Sequence, residues 1–162
     1  MASTVELKLA EHGDAAAILA FLQQAKTETD AITIPHLEKV TAREESRNID
    51  EINQSDDCII MLAMLGDQLI GMVTVMRTSV EEKTGELGVV VAKEYWRNGI
   101  GQMLVDEAEY WFNHYSSLDH MDLTVYEDNL PAINLYRKMG FVVTDHLQIN
   151  GQPSLRMDYQ VD

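Results

Sequence analysis

The stretch Gly85-Glu-Leu-Gly-Val-Val-Val-Ala-Lys-Glu-Tyr-Trp-Arg-Asn-Gly-Ile-Gly-Gln-Met-Leu104 holds the residue types and spacing best suited to chemistry. It reads as a valine-rich strand, a polar bridge, and a helix opened by two glycines one residue apart. The first turn of a helix leaves its N–H groups without partners and carries a partial positive charge, so it suits a phosphate. Glycine at Gly99 and Gly101 removes side chains from the face where an anion would approach the backbone. The start of this helix is therefore a candidate anion site. The plain alternative is a glycine-rich turn that only starts a helix. Two familiar phosphate loops are excluded. A dinucleotide fingerprint would need glycine at position 104, which is Leu104, and would follow its strand directly, whereas Lys93 to Asn98 intervene. A Walker-type loop would end in Gly-Lys-Ser or Gly-Lys-Thr, and that triplet is absent from the sequence.

Those residues need a scaffold. Val5 to Leu9 alternates apolar and polar side chains and predicts a half-buried strand. Gly13 and Asp14 break it, and Asp14 can cap a helix over Ala15 to Lys26. Thr27 to Pro35 reads as an irregular connection. Leu37 to Asn53 predicts a charged surface helix with sparse apolar positions at Leu37, Val40, Ile49 and Ile52. Cys58 to Leu65 and Gln68 to Thr78, joined by Gly66-Asp67, predict a hairpin. Gly85 to Ala92 is a further strand. The helix from Gly99 to Tyr115 places Ile100, Leu104, Ala108, Trp111 and Tyr115 on one apolar stripe. Met121 to Tyr126 is a strand, and Asn129 to Met139 a helix ended by Gly140. Phe141 to Ile149 and Leu155 to Val161 close the chain as strands joined around Asn150-Gly151. Helices interleave with strands only in the second half. The predicted architecture is a mixed, mostly antiparallel α/β (α+β) sheet of about seven strands with helices on both faces.

Composition narrows the class of function. The chain has 162 residues, the length of a single domain spanning 1–162, with 46% hydrophobic residues. Twelve Lys and Arg against 27 Asp and Glu give a net charge of −15, which repels nucleic acid and anionic membrane surfaces and suits cationic partners such as amines. Cys58 is the single cysteine, so the fold stands without an internal disulfide. It lies in an apolar run and reads as a core thiol. The apolar runs Ala15 to Leu22 and Cys58 to Leu65 fall short of the roughly 20 residues that span a bilayer. Glu6, Glu11 and Asp14 against Lys8 have the wrong sign for a secretory signal, so the expected location is cytoplasmic. The histidines are scattered without metal-ligand spacing on any predicted helix, and no metal is expected.

The segment Tyr95-Trp-Arg-Asn-Gly-Ile-Gly-Gln resembles the acyl-CoA pyrophosphate loop of the GCN5-related N-acetyltransferase (GNAT) family, Arg/Gln-x-x-Gly-x-Gly/Ala. Asn129-Leu-Pro-Ala-Ile-Asn-Leu-Tyr-Arg-Lys-Met-Gly-Phe141 resembles a second signature of that family, and the element order matches its fold over nearly the whole chain. One departure stands out: Trp96 occupies the place of the usual Arg or Gln, and Arg97 follows it. The resemblance implies acetyl-CoA as co-substrate and a small-molecule or protein amine as acceptor, and it allows a homodimer paired through the C-terminal strands. It implies that the amides of Arg97 to Gln102 hold the diphosphate. Backbone at Val89, Val90 and Val91 would hold the pantetheine arm where this strand parts from Leu123 to Tyr126. An N–H near Val90 or Val91 would steady the thioester oxygen. Glu86 is the candidate general base, with an exposed strand-end glutamate as the plain alternative and Glu81 and Glu82 as weaker competitors. Tyr136 corresponds to the family's proton donor to the leaving thiolate, and Asn129 to a helix cap that also contacts the CoA arm. Glu28, Asp30 and Thr33 lie where the family builds its acceptor wall. A non-catalytic acyl-CoA sensor or scaffold of the same fold is the alternative function.

Overall fold

The computed structural model describes residues 4–29 and 37–160. Seven strands, β1 (Val5–Leu9), β2 (Ile59–Leu65), β3 (Gln68–Ser79), β4 (Thr84–Val91), β5 (His120–Tyr126), β6 (Phe141–Ile149) and β7 (Gln152–Tyr159), form one sheet in the order β1-β2-β3-β4-β5-β7-β6. Every neighbouring pair is antiparallel except β4 with β5, which is parallel. Four α-helices occur among the described residues: α1 (Ala15–Glu28), α2 (Ala42–Asn53), α3 (Ile100–His114) and α4 (Leu130–Lys138). This is the mixed, mostly antiparallel seven-stranded sheet expected from the sequence.

Strand alternation divides the core between the two faces. Met61, Ala63, Val73, Val75 and Leu87 turn toward α3 and α4, where they meet Ile100, Leu104, Ala108, Phe112 and Ile133. Ile60, Leu62 and Met72 turn the other way, against Ile18, Leu22, Ile49 and Ile52 of α1 and α2. Helix α3 lies close to the sheet because Gly71 leaves room: a Cβ there would sit 3.0 Å from Leu104 Cδ1. With Leu104 fully buried, truncation to alanine would cost about 2–5 kcal/mol. This packing sets the first turn of α3 against the sheet beyond the end of β4.

Local corrections have local causes. Asp14 is not the side-chain cap of α1. Its carboxylate accepts from Glu11 N–H at 2.8 Å and pairs with Lys8 at 3.0 Å, closing a short 3-10 turn over His12–Asp14. The predicted helix from Leu37 is a 3-10 turn (Leu37–Lys39) followed by α2, which starts after Thr41, whose hydroxyl accepts from Glu44 N–H at 3.1 Å. Tyr115 leaves the apolar stripe of α3 and is 67% exposed, while Val105 and Phe112 join the buried face. The last strand ends at Tyr159, and Val161 lies outside the described residues.

Candidate active site

The parallel seam between β4 and β5 is short. It pairs Thr84, Gly85 and Glu86 with His120, Met121 and Asp122, and then the ladder ends although both strands continue. Beyond it, β4 stays bonded to β3 up to Val91, and β5 stays bonded to β7 up to Tyr126. Ala92 N–H donates to Ile70 O of β3 at 2.9 Å. The two-residue period of a strand then turns the peptide groups of Glu86, Gly88 and Val90 toward β3, and those of Val89 and Val91 toward the gap. Val90 is thus set apart from the pair it was grouped with: its backbone serves the sheet, and its side chain packs with the α1–α2 core.

Directly after β4 the chain makes a 3-10 turn (Lys93–Tyr95) and enters a loop with left-handed backbone at Arg97 (φ 68°) and Gly99 (φ 78°). Gly99 is the N-cap of α3, and Met103 N–H makes the first bond back into the loop, to Gly99 O at 3.1 Å. Among the described residues, the amides of residues 97–102 donate to no protein acceptor. A run of unbonded N–H groups at a helix start is an anion cradle in chemical terms. The two glycines differ in purpose. A Cβ on Gly99 would meet nothing within 4 Å, so glycine is there for its backbone angle and leaves open space. A Cβ on Gly101 would come within 3.2 Å of Leu135 Cδ2, so that glycine admits α4. Lys138 of α4 donates to Gln102 Oε1 at 3.0 Å and brings a cation to the cradle.

Glu86 forms the last rung of the seam, opposite Asp122. Both side chains point to the face that α1 and α2 share, because their neighbours Leu87, Met121 and Leu123 point to the other. Arg156 of β7 joins them, with Nη2 at 2.9 Å from Asp122 Oδ2 and Nε at 3.6 Å from Asp158 Oδ1. The Glu86 carboxyl is raised above the ordinary carboxylate range, first by loss of water around it and then by the Asp122 charge, with Arg156 opposing. Asp122 is raised by burial, with Arg156 pulling it back. A carboxylate with elevated affinity for protons, at the mouth of a gap in a sheet, is suited to act as a base. An open cleft of about 300 Å³ at the other end of β4, lined by Glu82, Thr84, His120 and Asp158, shares Arg156 with this group.

Tyr136 lies across the sheet from Glu86. It packs edge-on against Phe141, with ring centroids 5.9 Å apart, in the core shared with α3. Burial pushes its hydroxyl up to about 12, and no protein group among the described residues bonds to that hydroxyl. Asn129 caps α4, its side chain accepting from Ala132 N–H at 3.4 Å. Trp96 places its indole N–H on Val91 O at 2.7 Å.

Other expected positions fall differently. Glu28 Oε1 accepts from Lys93 N–H at 3.0 Å, so this side chain secures the turn after β4. Asp30 and Thr33 lie outside the described residues. Cys58 is partly exposed, and its sulfur accepts from Arg77 N–H at 3.4 Å. Asp122, Arg156 and Lys138 escaped the sequence reading. Lys138 stands inside the second signature, but only the fold brings it to Gln102. Asp122 and Arg156 show as polar positions in alternating strands, and without the β4–β5 and β5–β7 registers nothing joins them to Glu86. No group of three or more metal-ligating side chains occurs among the described residues, and no helix there is long and apolar enough to cross a membrane.

Residues 22–141 match the sequence model of the Acetyltransferase (GNAT) family. The chain is 24% identical over 143 residues to an Escherichia coli (strain K12) protein named L-amino acid N-acetyltransferase, covering 87% of this chain and 85% of that one. Among solved structures it is similar to a GNAT-family acetyltransferase from Streptococcus pneumoniae, with a TM-score of 0.88 and 28% identity over 98% of this chain and 100% of the other. It also shares its fold with an acetyltransferase structure from Salmonella typhimurium described with its cofactor acetyl-CoA, with a TM-score of 0.79 and 20% identity over 98% of this chain and 94% of that one.

Proposed function

Because the chain belongs to the Acetyltransferase (GNAT) family, we propose that it is an N-acetyltransferase that passes the acetyl group of acetyl-CoA directly to a primary amine, with both substrates bound together. The observation that carries the reading is the ladder that stops at Glu86 and Asp122 while both strands run on. Outside such a gap, the peptide groups of Val89 and the N–H of Val91, which the sheet leaves unbonded, would be an uncompensated loss. Within it, they offer hydrogen bonds to the amides of a pantetheine arm, as an added strand would use them. An N–H of Val89 or Val91 steadies the thioester oxygen as charge develops there. The amides of residues 97–102, with Lys138 beside them, neutralise the diphosphate.

The two proton-handling groups stand on opposite faces of the sheet, and the division suits the reaction. An amine reaching the gap from the α1–α2 face meets Glu86, which takes the proton that must leave before or as nitrogen attacks. The N–C bond forms, the C–S bond breaks, and the sulfur departs toward the α3–α4 face. Tyr136 supplies a proton to it there. With its affinity for that proton raised, Tyr136 stays protonated throughout the physiological range. The acidic group Glu86, Asp122 and Asp158, only partly offset by Arg156, draws an ammonium to the entry face.

The test is release of free CoA thiol from acetyl-CoA across a panel of L-amino acids, polyamines and peptide N-termini. Amine-dependent release with at least one member is expected. Tight binding of acetyl-CoA without release in the presence of any amine would replace this reading with that of a non-catalytic acyl-CoA sensor.

A further inference from the structure

We propose that Trp96 is a positioning residue that couples the anion cradle to the gap-facing end of β4 by holding the Val91 carbonyl through its indole N–H. The inference rests on the reading of residues 97–102 as the diphosphate site and of Val91 as a pantetheine contact. Trp96 is the residue immediately before the cradle, and Val91 is the last residue of β4. Their bond, at 2.7 Å, spans the turn between the two parts of the site. Trp96 is 44% exposed, so packing alone does little to hold its ring in place. The Lys93 ammonium lies 5.9 Å from the ring centroid and favours that orientation.

The geometry makes the turn a strap fastened at several points. The peptide unit between Val91 and Ala92 is held on both sides: its oxygen accepts from Trp96, and its N–H donates to Ile70 O at 2.9 Å. Lys93 N–H is taken by Glu28, and the Tyr95 hydroxyl donates to Gln68 Oε1 at 3.3 Å. A carbonyl oxygen has two lone pairs, so the indole leaves one free for an amide N–H of the ligand. A molecule gripped by phosphate at one end and by strand backbone at the other is aligned only when the distance between those grips is fixed. Trp96 fixes it. An Arg or Gln at this position would offer a polar group to the ligand, whereas the indole spends its N–H on the protein itself.

The experiment compares two probes by titration calorimetry: acetyl-CoA, which spans both grips, and adenosine 3′,5′-bisphosphate, which reaches only the cradle side. Trp96→Phe should leave the affinity for the bisphosphate within about twofold and weaken that for acetyl-CoA about fivefold, the effect of one ordinary hydrogen bond. Equal weakening of both probes, or of neither, overturns the proposal. A second measurement needs no variant: hydrogen exchange of the Trp96 indole N–H in the wild-type protein, followed by NMR. Exchange should slow with acetyl-CoA and stay unchanged with the bisphosphate. Faster exchange with acetyl-CoA would show the bond displaced and overturn the coupling. A wild-type protein that binds neither probe would instead refute the cradle.

Discussion

Replacing Gly99 with valine and, separately, Gly101 with alanine distinguishes a backbone cradle from a merely glycine-rich helix start. Gly99 holds φ at 78° with open space around its missing side chain. A left-handed backbone costs an ordinary L-residue about 1–2 kcal/mol and a β-branched one more. The loop would therefore relax to negative φ and swing the amide of Ile100 off the anion. Losing one charge-assisted hydrogen bond, worth about 1.5–3 kcal/mol, weakens CoA binding roughly 10- to 150-fold. Gly101 has no such backbone demand. An added Cβ would press on Leu135 Cδ2 at 3.2 Å, a flexible atom that can yield, and alanine gains about 1 kcal/mol of helix propensity. Gly101→Ala should therefore keep its melting temperature within a few degrees and its CoA affinity within about threefold. Calorimetric titration with CoA and thermal melts read both quantities. Unchanged affinity in Gly99→Val would remove the cradle, and equal losses in the two variants would show that the helix face, not the loop backbone, meets the ligand.

Glu86→Gln should lower turnover most at neutral pH and recover part of it in alkali, where more of the amine is already deprotonated; a constant ratio to wild type across pH excludes Glu86 as base. Asp122→Asn removes a charge that raises the proton affinity of Glu86, so the acid limb of the kcat/KM profile should move to lower pH, and an unmoved limb would show that Asp122 does not act on the base. Tyr136→Phe should reduce kcat by about 100-fold, the lower range for a positioned general acid, with KM for acetyl-CoA nearly constant; an unchanged kcat would assign Tyr136 to packing alone. Glu109 of α3 has a buried Oε2 with no hydrogen-bond partner among the described residues and is pushed up to about 7 by burial and by Asp106. The folded state therefore binds this proton more tightly than the unfolded chain, and stability falls as pH rises from about 4.5 through 7. Glu109→Gln should raise stability by about 3 kcal/mol at pH 8 and little at pH 4.5, and equal melting shifts at both pH values would refute the assignment.

Much of the fold was legible because each half of the chain uses strong local signals. The hairpin around Gly66-Asp67, the valine strand, the Asn129 cap and the Gly140 stop all occur where turn and cap chemistry place them. The glycines that open α3 were legible for the same reason, since helix starts and paired glycines are sequence-local. What stayed hidden depends on register. No pattern within β5 or β7 shows that Asp122 faces Glu86 or that Arg156 reaches Asp122, because those contacts arise only when three strands are aligned. Val90 illustrates the same limit. Three consecutive valines look equivalent in sequence, and the ladder alone decides which peptide groups face the gap. Glu28 is expected near the acceptor from its position in the chain, and only the fold shows that its carboxylate also accepts from Lys93 N–H in the turn after β4.

The gap itself follows from the way the sheet is joined. β4 is bonded to β3 over its whole length and belongs to the antiparallel half β1–β4, while β5 is bonded to β7 and belongs to the half β5-β7-β6. The two halves meet in one parallel seam of three residue pairs. Each half carries its own right-handed twist, and the chain between them crosses through α3 instead of a tight turn. Nothing therefore compels the strands to stay together past Glu86. The same crossover must begin where β4 ends, which puts the free amides of the first α3 turn beside the opening, and the return from β5 into α4 brings Leu135, Tyr136 and Lys138 to the same side. A single parallel pairing in an otherwise antiparallel sheet thus accounts for the opening, for the unbonded amides beside it, and for Glu86 and Tyr136 on opposite faces.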